Sequence, residues 1–204
     1  MVAKLEAYAG LQFGARSVLL AADQPDTFDF PAAVAQLGGL VPPGVQTTTV
    51  TRPDSGNAEL LAAIDGQPTM VDYIGHGNVD SWAGGWLASE DAGSLENTSH
   101  PALFVSMTCL NAYFTDPYLP SLGEALLDAP GGAIAVWGST GLGDPGSELA
   151  VDEALIARLL GPVPVEGRRV LRLGDALIRA QRAAPSGDVA VTGQLLGDPT
   201  TILR

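Results

Sequence analysis

Thr69-Met70-Val71-Asp72-Tyr73-Ile74-Gly75-His76-Gly77 joins a mostly apolar run to a glycine-flanked histidine. Short runs of β-branched and aromatic residues bounded by turn residues are typical of strands. Glycine on both sides of His76 allows the backbone to approach a ligand closely. We therefore predict a buried strand whose carboxyl end carries a reactive side chain.

Five further runs of the same kind lie along the chain, and helical patterns separate them. This alternation is typical of a mostly parallel sheet with helices on both faces, so the predicted fold class is α/β. The predicted strands cover residues 17–22, 47–50, 69–74, 102–107, 132–137 and 201–203, and the predicted helices lie at 31–37, 57–64, 121–128, 149–160 and 174–184.

The composition limits the classes of partner. The chain has 204 residues, with 10 basic and 23 acidic side chains and a formal net charge of −13. Such a surface repels phosphate backbones, so we expect no nucleic-acid partner. No apolar run reaches the ~18 residues needed to cross a bilayer, and no membrane span is predicted.

Two candidate catalytic residues follow neighbouring predicted strands. His76 follows the third strand, and Cys109, the one cysteine of the chain, follows the fourth. Adjacent strands lie about 4.8 Å apart, so these residues can bring an imidazole next to a sulfur. Such a pair can form a thiolate and later protonate a leaving amine. The alternative is a buried thiol and a hydrogen-bonded histidine, and the spacing alone does not separate the two readings.

Five motifs in order resemble the gingipains and the wider C25 family of cysteine peptidases. The similarity runs from about Ser17 onward and implies a caspase-like αβα sandwich, a cysteine endopeptidase activity and a dyad of His76 and Cys109. Thr108 departs from the alanine usual in the family. The motifs are Tyr73–Asn78 followed by Trp82, Phe104–Phe114, Ser121–Leu127, Gly132–Ala135 with Gly138–Thr140, and Leu196–Pro199.

The resemblance also implies roles for single residues. Gingipains orient the histidine with an acid that follows the first strand, and Asp23 holds that position. Asp29 is the candidate base of an arginine pocket, with a helix cap as its alternative. The amides of Gly77 and Cys109 are predicted to bind the oxyanion of a tetrahedral intermediate.

The remaining predicted substrate-binding residues surround this pair. Trp82 is predicted to lie on the rim of the cleft, with cover of the sheet edge as the alternative. The loop after the fifth strand and the start of the next helix supply the others, which are Ser139, Thr140, Gly143 and Leu149.

The predicted function is peptide-bond cleavage, with a preference for basic residues as a further expectation. A sortase-like transpeptidase of the same family and a catalytically inactive peptidase-like binding module are the alternatives. A nucleotide-binding domain is supported only by the glycine-rich loop 138–143, which lacks the lysine of a P-loop.

We predict no cofactor and no metal. Asp80, Glu90, Asp91 and Glu96 offer oxygen ligands that suit calcium, but their spacing is not that of an EF-hand. Residues 1–204 are interpreted as a single catalytic domain of a longer protein, with a protein or peptide substrate and other domains of that protein as partners. The family resemblance implies an extracellular or cell-envelope location.

Overall fold

The computed structural model of the protein describes residues 1–12, 14–161, 171–185 and 187–203. Helices and strands alternate over most of this length, with three short 3-10 turns between the third and fourth strands. The elements are α1 (Val2–Ala9), β1 (Ser17–Ala22), α2 (Phe30–Leu40), β2 (Gln46–Thr51), α3 (Ala58–Asp65), β3 (Met70–Ile74), β4 (Ala102–Met107), α4 (Leu122–Asp128), β5 (Ala133–Ser139), α5 (Pro145–Leu159), α6 (Leu173–Gln181), α7 (Gly187–Thr192) and β6 (Gly193–Gly197).

The described strands form one six-stranded sheet in the order β2-β1-β3-β4-β5-β6. The first five strands run parallel, and β6 pairs antiparallel with β5. In the register of β3 and β4, Ile74 lies opposite Met107. His76 and Cys109 each follow these residues by two positions, so both lie just beyond the same edge of the sheet.

Two apolar clusters cover the two faces of the sheet. One packs Leu20, Met70 and Val105 against helices α2, α5 and α6. The other packs Val71 and Phe104 against α3 and α4. Successive side chains of a strand point to opposite faces, which explains why Met70 and Val71 belong to different clusters. The result is a three-layer αβα sandwich.

The predicted fold class is confirmed, and the strands predicted at 17–22 and 102–107 have the observed bounds. The last strand is an exception, because it covers Gly193–Gly197 and not 201–203. Residues 199–201 instead close the start of α6, where the carbonyls of Pro199 and Thr201 accept the N–H groups of Gly174 and Leu173. The glycine at each end of residues 161–167 also predicts a loop there, and this segment lies mostly outside the described residues.

In the part of the chain that the structure describes, no helix combines the length and apolar character needed to cross a bilayer.

Candidate active site

The turns that carry His76 and Cys109 touch each other beyond the ends of β3 and β4. The Gly75 N–H donates to the carbonyl of Met107 at 3.3 Å and so extends the pairing of the two strands. Gly77 packs on Thr108, since a β-carbon at Gly77 would lie 2.6 Å from the Thr108 hydroxyl oxygen. Glycine is therefore required at position 77 for the two turns to approach this closely.

Cys109 is half-buried in a turn that is bound to the loop after β5. Its Sγ accepts a hydrogen bond from the N–H of Gly143 at 3.4 Å. Leu110 has a positive φ of 63°, which turns the chain sharply after the cysteine. The Leu110 N–H then donates to the carbonyl of Gly141 at 3.1 Å. The sulfur thus faces a backbone N–H, a group that stabilises negative charge.

The imidazole of His76 is exposed and is held from one side by Asp26. Nε2 of His76 lies 2.7 Å from Oδ2 of Asp26. The ring also meets Phe30 edge-on, with centroids 5.3 Å apart. The backbone N–H of Phe28 and the His76 side chain hold the pKa of Asp26 below its usual value. Asp26 is therefore a carboxylate at neutral pH and suits a protonated imidazole.

Asp23 contacts the main chain of His76, and Asp26 contacts its ring. Asp23 is 1% exposed, pairs with Nε of Arg52 at 2.6 Å and accepts the N–H of His76 at 3.1 Å. Asp23 directly follows β1 and lies against Gly75, which directly follows β3. A β-carbon at Gly75 would lie 2.5 Å from the Asp23 Cβ. The structure therefore places Asp23 under the histidine turn, where it binds the main chain of His76.

Trp82 lies in the core and not on a cleft rim. Its ring is 1% exposed and stacks on Tyr73 with centroids 4.1 Å apart. The Tyr73 hydroxyl donates to the carbonyl of His76 at 2.8 Å. The tryptophan thus supports the tyrosine that fixes the histidine turn, because a large apolar ring fills the space under that turn.

Asp29 caps a helix and is exposed. Its side chain accepts the N–H of Ala32 at 3.0 Å at the start of α2. This is the arrangement that the alternative interpretation of Asp29 anticipated, since aspartate is a preferred N-cap residue.

The four substrate-binding residues predicted from the end of β5 to α5 contact other parts of the protein. Ser139 is buried, and its hydroxyl bonds both the carbonyl and the N–H of Gly141. The Thr140 hydroxyl donates to the carbonyl of Thr192 at 3.0 Å. Leu149 is partly buried against the apolar cluster of α2, α5 and α6. Of the four predicted residues of this segment, Gly143 alone has a recorded contact with Cys109, among the contacts of the described residues.

The amides of Gly77 and Cys109 are available as donors. Among the described residues, neither N–H donates a hydrogen bond to a protein acceptor. Both residues are half-buried, and they follow the ends of the neighbouring strands β3 and β4. Two free N–H groups at this position suit the predicted oxyanion site.

Glu148 is a buried acid that packs on Gly143 beside the candidate site, and the sequence analysis did not single it out. It lies in the first turn of α5 and is 4% exposed. Burial and the charge of Asp144 raise its pKa to about 7, while the charge of His76 acts in the opposite direction. An acid in the first turn of a helix is common because it favours the helix dipole, so its position alone gave no signal of a role at the site.

Over the described ranges, no three side chains of histidine, cysteine, aspartate or glutamate are arranged to hold a metal ion.

The profile of Peptidase family C25 matches residues 1–204, and the chain belongs to this family. Among solved structures, it is similar to the Arg-specific cysteine proteinase gingipain R (RgpB), with a TM-score of 0.80 and 17% identity over 98% of this chain. It is also similar to a complex of the Porphyromonas gingivalis RgpB pro- and mature domains, with a TM-score of 0.77 and 17% identity over 93% of this chain. The sandwich therefore has the caspase-like gingipain fold.

The chain spans 52% of the gingipain R chain and 48% of the matched chain in the complex. The domain therefore corresponds to about half of those proteins.

Two curated proteins that are not named as peptidases match part of the sequence of this chain. They are 2-C-methyl-D-erythritol 4-phosphate cytidylyltransferases from Synechococcus sp. (strain CC9902) and Parasynechococcus marenigrum (strain WH8102). The first is 30% identical over 61% of this chain and 62% of its own length. The second is 29% identical over 60% of this chain and 61% of its own length. The similarity covers less than two thirds of each relative.

Proposed function

We propose that this domain is a cysteine endopeptidase that cleaves peptide bonds with His76 and Cys109 as its dyad. Membership of family C25 supports the class of reaction. The observation that carries the assignment of residues is the contact between the two turns at the sheet edge, together with the Gly143 N–H on the Cys109 sulfur.

In the proposed reaction, the Cys109 thiolate attacks the peptide carbonyl carbon, a C–S bond forms, and the carbonyl oxygen becomes an oxyanion. The amides of Gly77 and Cys109 donate to that oxygen. The C–N bond then breaks, and the leaving amine takes the proton of His76. Water attacks the resulting thioester and gives a proton to His76, and the C–S bond breaks to restore the thiolate.

The proposed substrate is a protein or peptide with a preference for basic residues at the cleavage point. The net charge of −13 and the exposed acids Asp26 and Asp144 support a cationic side chain. Asp29 supports this preference less, since its carboxyl caps α2. The likeness to gingipains supports an extracellular or cell-envelope location and further domains of a longer protein as partners.

Labelling with peptide chloromethylketones tests the proposal. Reagents with arginine, lysine or leucine next to the reactive group are compared on the wild type and on Cys109→Ala. We expect stoichiometric alkylation of Cys109, fastest with arginine or lysine, and none of the variant. A labelling rate equal to that of free cysteine would contradict catalysis and favour an inactive binding module. Equal rates for all three reagents would contradict the preference for basic residues but not the assignment of Cys109 as the nucleophile.

The sortase-like alternative keeps the same thioester and changes its acceptor. Cleavage of a substrate peptide in the presence of a glycine-based amine separates the two by mass spectrometry. Hydrolysis products alone support the endopeptidase, whereas a ligated product supports the transpeptidase.

The partial similarity to cytidylyltransferases favours one second candidate, the binding of a nucleotide. The glycine-rich segment 138–143, whose first two residues end β5, is its structural support, yet its last residue already contacts the Cys109 sulfur. A rise in melting temperature with CTP and Mg²⁺ would support this candidate. No shift at millimolar nucleotide would reject it.

A further inference from the structure

The segment that follows the cysteine turn forms an exposed loop between two buried anchors. Asn111 and Ala112 are buried at its start, and Ser121 is buried at its end. The N–H of Gly123 donates to the carbonyl of Asn111 at 3.0 Å, so the two ends are tied together. Residues 113–120 lie between these anchors and are exposed or half-buried. Compact surface loops whose ends meet are frequently functional.

The 113–120 loop is ordered by its own contacts. Oδ1 of Asp116 accepts the N–H groups of Tyr118 at 2.8 Å and of Leu119 at 3.1 Å. Two prolines also restrict the backbone of the loop. Asp116 is the one charged side chain of this segment. A loop that is already ordered loses little conformational entropy when it binds a partner.

The same loop exposes large apolar side chains. Tyr118 is 90% exposed, and Phe114 and Leu119 are exposed as well. Nine large apolar side chains are exposed among the described residues, and these three lie within one stretch of six residues. An exposed apolar surface of this kind marks a site that binds another molecule.

Leu142 adds a fourth exposed apolar side chain, directly at the cysteine. It is 74% exposed. On one side of it, the carbonyl of Gly141 accepts the N–H of Leu110 at 3.1 Å. On the other side, the N–H of Gly143 donates to Sγ of Cys109 at 3.4 Å. Leu142 is therefore held beside the sulfur, and the apolar surface is continuous with the candidate active site.

The acids and the apolar loop lie on opposite sides of the dyad. The 113–120 loop leads into α4, whose Leu122 packs in the apolar cluster shared with α3. Asp26 precedes α2 and Asp144 caps α5, and these two helices pack on the other face of the sheet. A substrate that crosses the sheet edge at Cys109 therefore meets acids on one side and apolar groups on the other.

We propose that the 113–120 loop and Leu142 bind an apolar side chain of the substrate, a leucine or an aromatic residue, on the side of the dyad away from Asp26 and Asp144. The substrate is then recognised twice, by a basic residue at the cleavage point and by an apolar residue further along the peptide. The proposal rests on the proposed function, since it takes a peptide as the molecule that Cys109 attacks.

Binding of defined peptides to Cys109→Ala tests this surface without turnover. Fluorescein-labelled nine-residue peptides carry arginine at the centre and serine elsewhere, and one leucine replaces serine at each position in turn. Fluorescence anisotropy gives the Kd of each peptide. We expect leucine to tighten binding about ten-fold at one or two neighbouring positions on one side of the arginine, the effect of filling an apolar site. All peptides have the same charge, so attraction to the acidic surface is constant across the series.

Variants assign the leucine preference to the loop. Tyr118→Ser and Leu119→Ser, each made in the Cys109→Ala background, should lose most of the gain and bind the peptide without leucine as before. Leu40→Ser is the matched control, because Leu40 is also exposed but ends α2 at the opposite edge of the sheet. Each replaced side chain is exposed, so the melting temperatures of the variants should match that of Cys109→Ala.

Three results would overturn the proposal. The first is a gain from leucine that is absent or equal at every position, and the second is a gain that survives in both Tyr118→Ser and Leu119→Ser. The third is a wild type that sediments as a dimer and becomes a monomer in Tyr118→Ser, because the loop then binds a second copy of the chain.

Chloromethylketone labelling of the wild type remains a separate test of catalysis. A protein that does not label but shows the position-specific leucine preference has this binding surface and lacks the proposed dyad. A protein that labels but shows no leucine preference is a reactive cysteine peptidase without this surface.

Discussion

Nε2 of His76 lies 2.7 Å from Oδ2 of Asp26, while the acid directly after β1, Asp23, binds the main-chain N–H of the same histidine at 3.1 Å. Two aspartates three residues apart thus hold one residue by its ring and by its backbone. They differ in burial, since Asp23 is 1% exposed and the Asp26 side chain is 44% exposed. We therefore expect replacement of Asp26 to lower mainly activity and replacement of Asp23 to lower mainly stability.

Asp26→Asn should lower reactivity and leave stability almost unchanged. The amide cannot stabilise a protonated imidazole, so we expect inactivation by the best peptide chloromethylketone to slow roughly ten-fold, part of what a general acid–base contributes. Solvent screens this exposed pair, so the melting temperature should hardly change. Because the pKa of Asp26 is below its usual value, the defect should persist from pH 6 to 8. An unchanged inactivation rate would show that Asp26 does not stabilise the protonated imidazole of His76.

Asp23→Ala should mainly lower stability. It leaves the Arg52 guanidinium and the His76 N–H without their shared partner. Breaking a buried ion pair costs about 3–5 kcal/mol, and the partial exposure of Arg52, 22%, reduces the expected loss to roughly 2 kcal/mol. Urea unfolding measures it. Asp54→Ala, which removes an exposed aspartate from the same region, should cost little. Loss of labelling by Asp23→Ala without loss of stability would restore Asp23 as the acid that orients the ring.

The position of His76 and Cys109 at one edge of the sheet could be predicted from the sequence, because it depends on strands that local sequence pattern indicates. The runs before His76 and Cys109 are buried strands, and parallel strands place their carboxyl ends at a common edge. The start of the predicted helix 121–128 follows from local pattern as well, because Ser121 and Glu124 have the spacing of a capping box and form both of its hydrogen bonds.

The assignment of the acids could not be predicted in the same way. Asp23, Asp26 and Asp29 follow β1 within seven residues, and the turn between β1 and α2 decides which one faces the ring. Glu148 has the sequence signature of an ordinary first-turn acid, and only the return of α5 over Gly143 buries it at the site. These contacts depend on tertiary structure, which no spacing along the chain encodes.

Asp72 and Asp152 form a buried acid pair that should make the protein less stable at alkaline pH. Both are fully enclosed, and among the described residues their four oxygens find no donor group. The two carboxyls can bond each other only if one carries a proton. Burial raises the pKa of both, with the charge of Asp72 adding to the rise for Asp152.

The folded protein therefore binds protons that the unfolded chain releases above about pH 4, so stability falls as pH rises toward the raised pKa values. We expect Asp152→Asn, whose amide supplies a donor, to be more stable than the wild type by about 2 kcal/mol at pH 8 and by less at pH 5. Urea unfolding at both pH values measures this difference. Asp175→Asn, an exposed acid of α6, should show no such pH dependence. A loss of stability in Asp152→Asn at pH 8 would mean that both carboxyls are ionised in the folded protein and that other groups offset their charge.

Gly143→Ala should disable the cysteine while the fold remains. The new methyl would overlap the Glu148 carboxyl, so the loop must move and the Gly143 N–H must leave the sulfur. We expect labelling of Cys109 to slow about ten-fold or more, since a single donor to a developing anion is worth this much or more. Gly146→Ala is the matched control, because its β-carbon would find only Asp144 Oδ2 at 3.5 Å, an ordinary contact. In a helix, alanine is also favoured over glycine by about 1 kcal/mol, so this control should be slightly more stable. If both variants label at the wild-type rate, the contact between Gly143 and the sulfur has no part in the reactivity of Cys109.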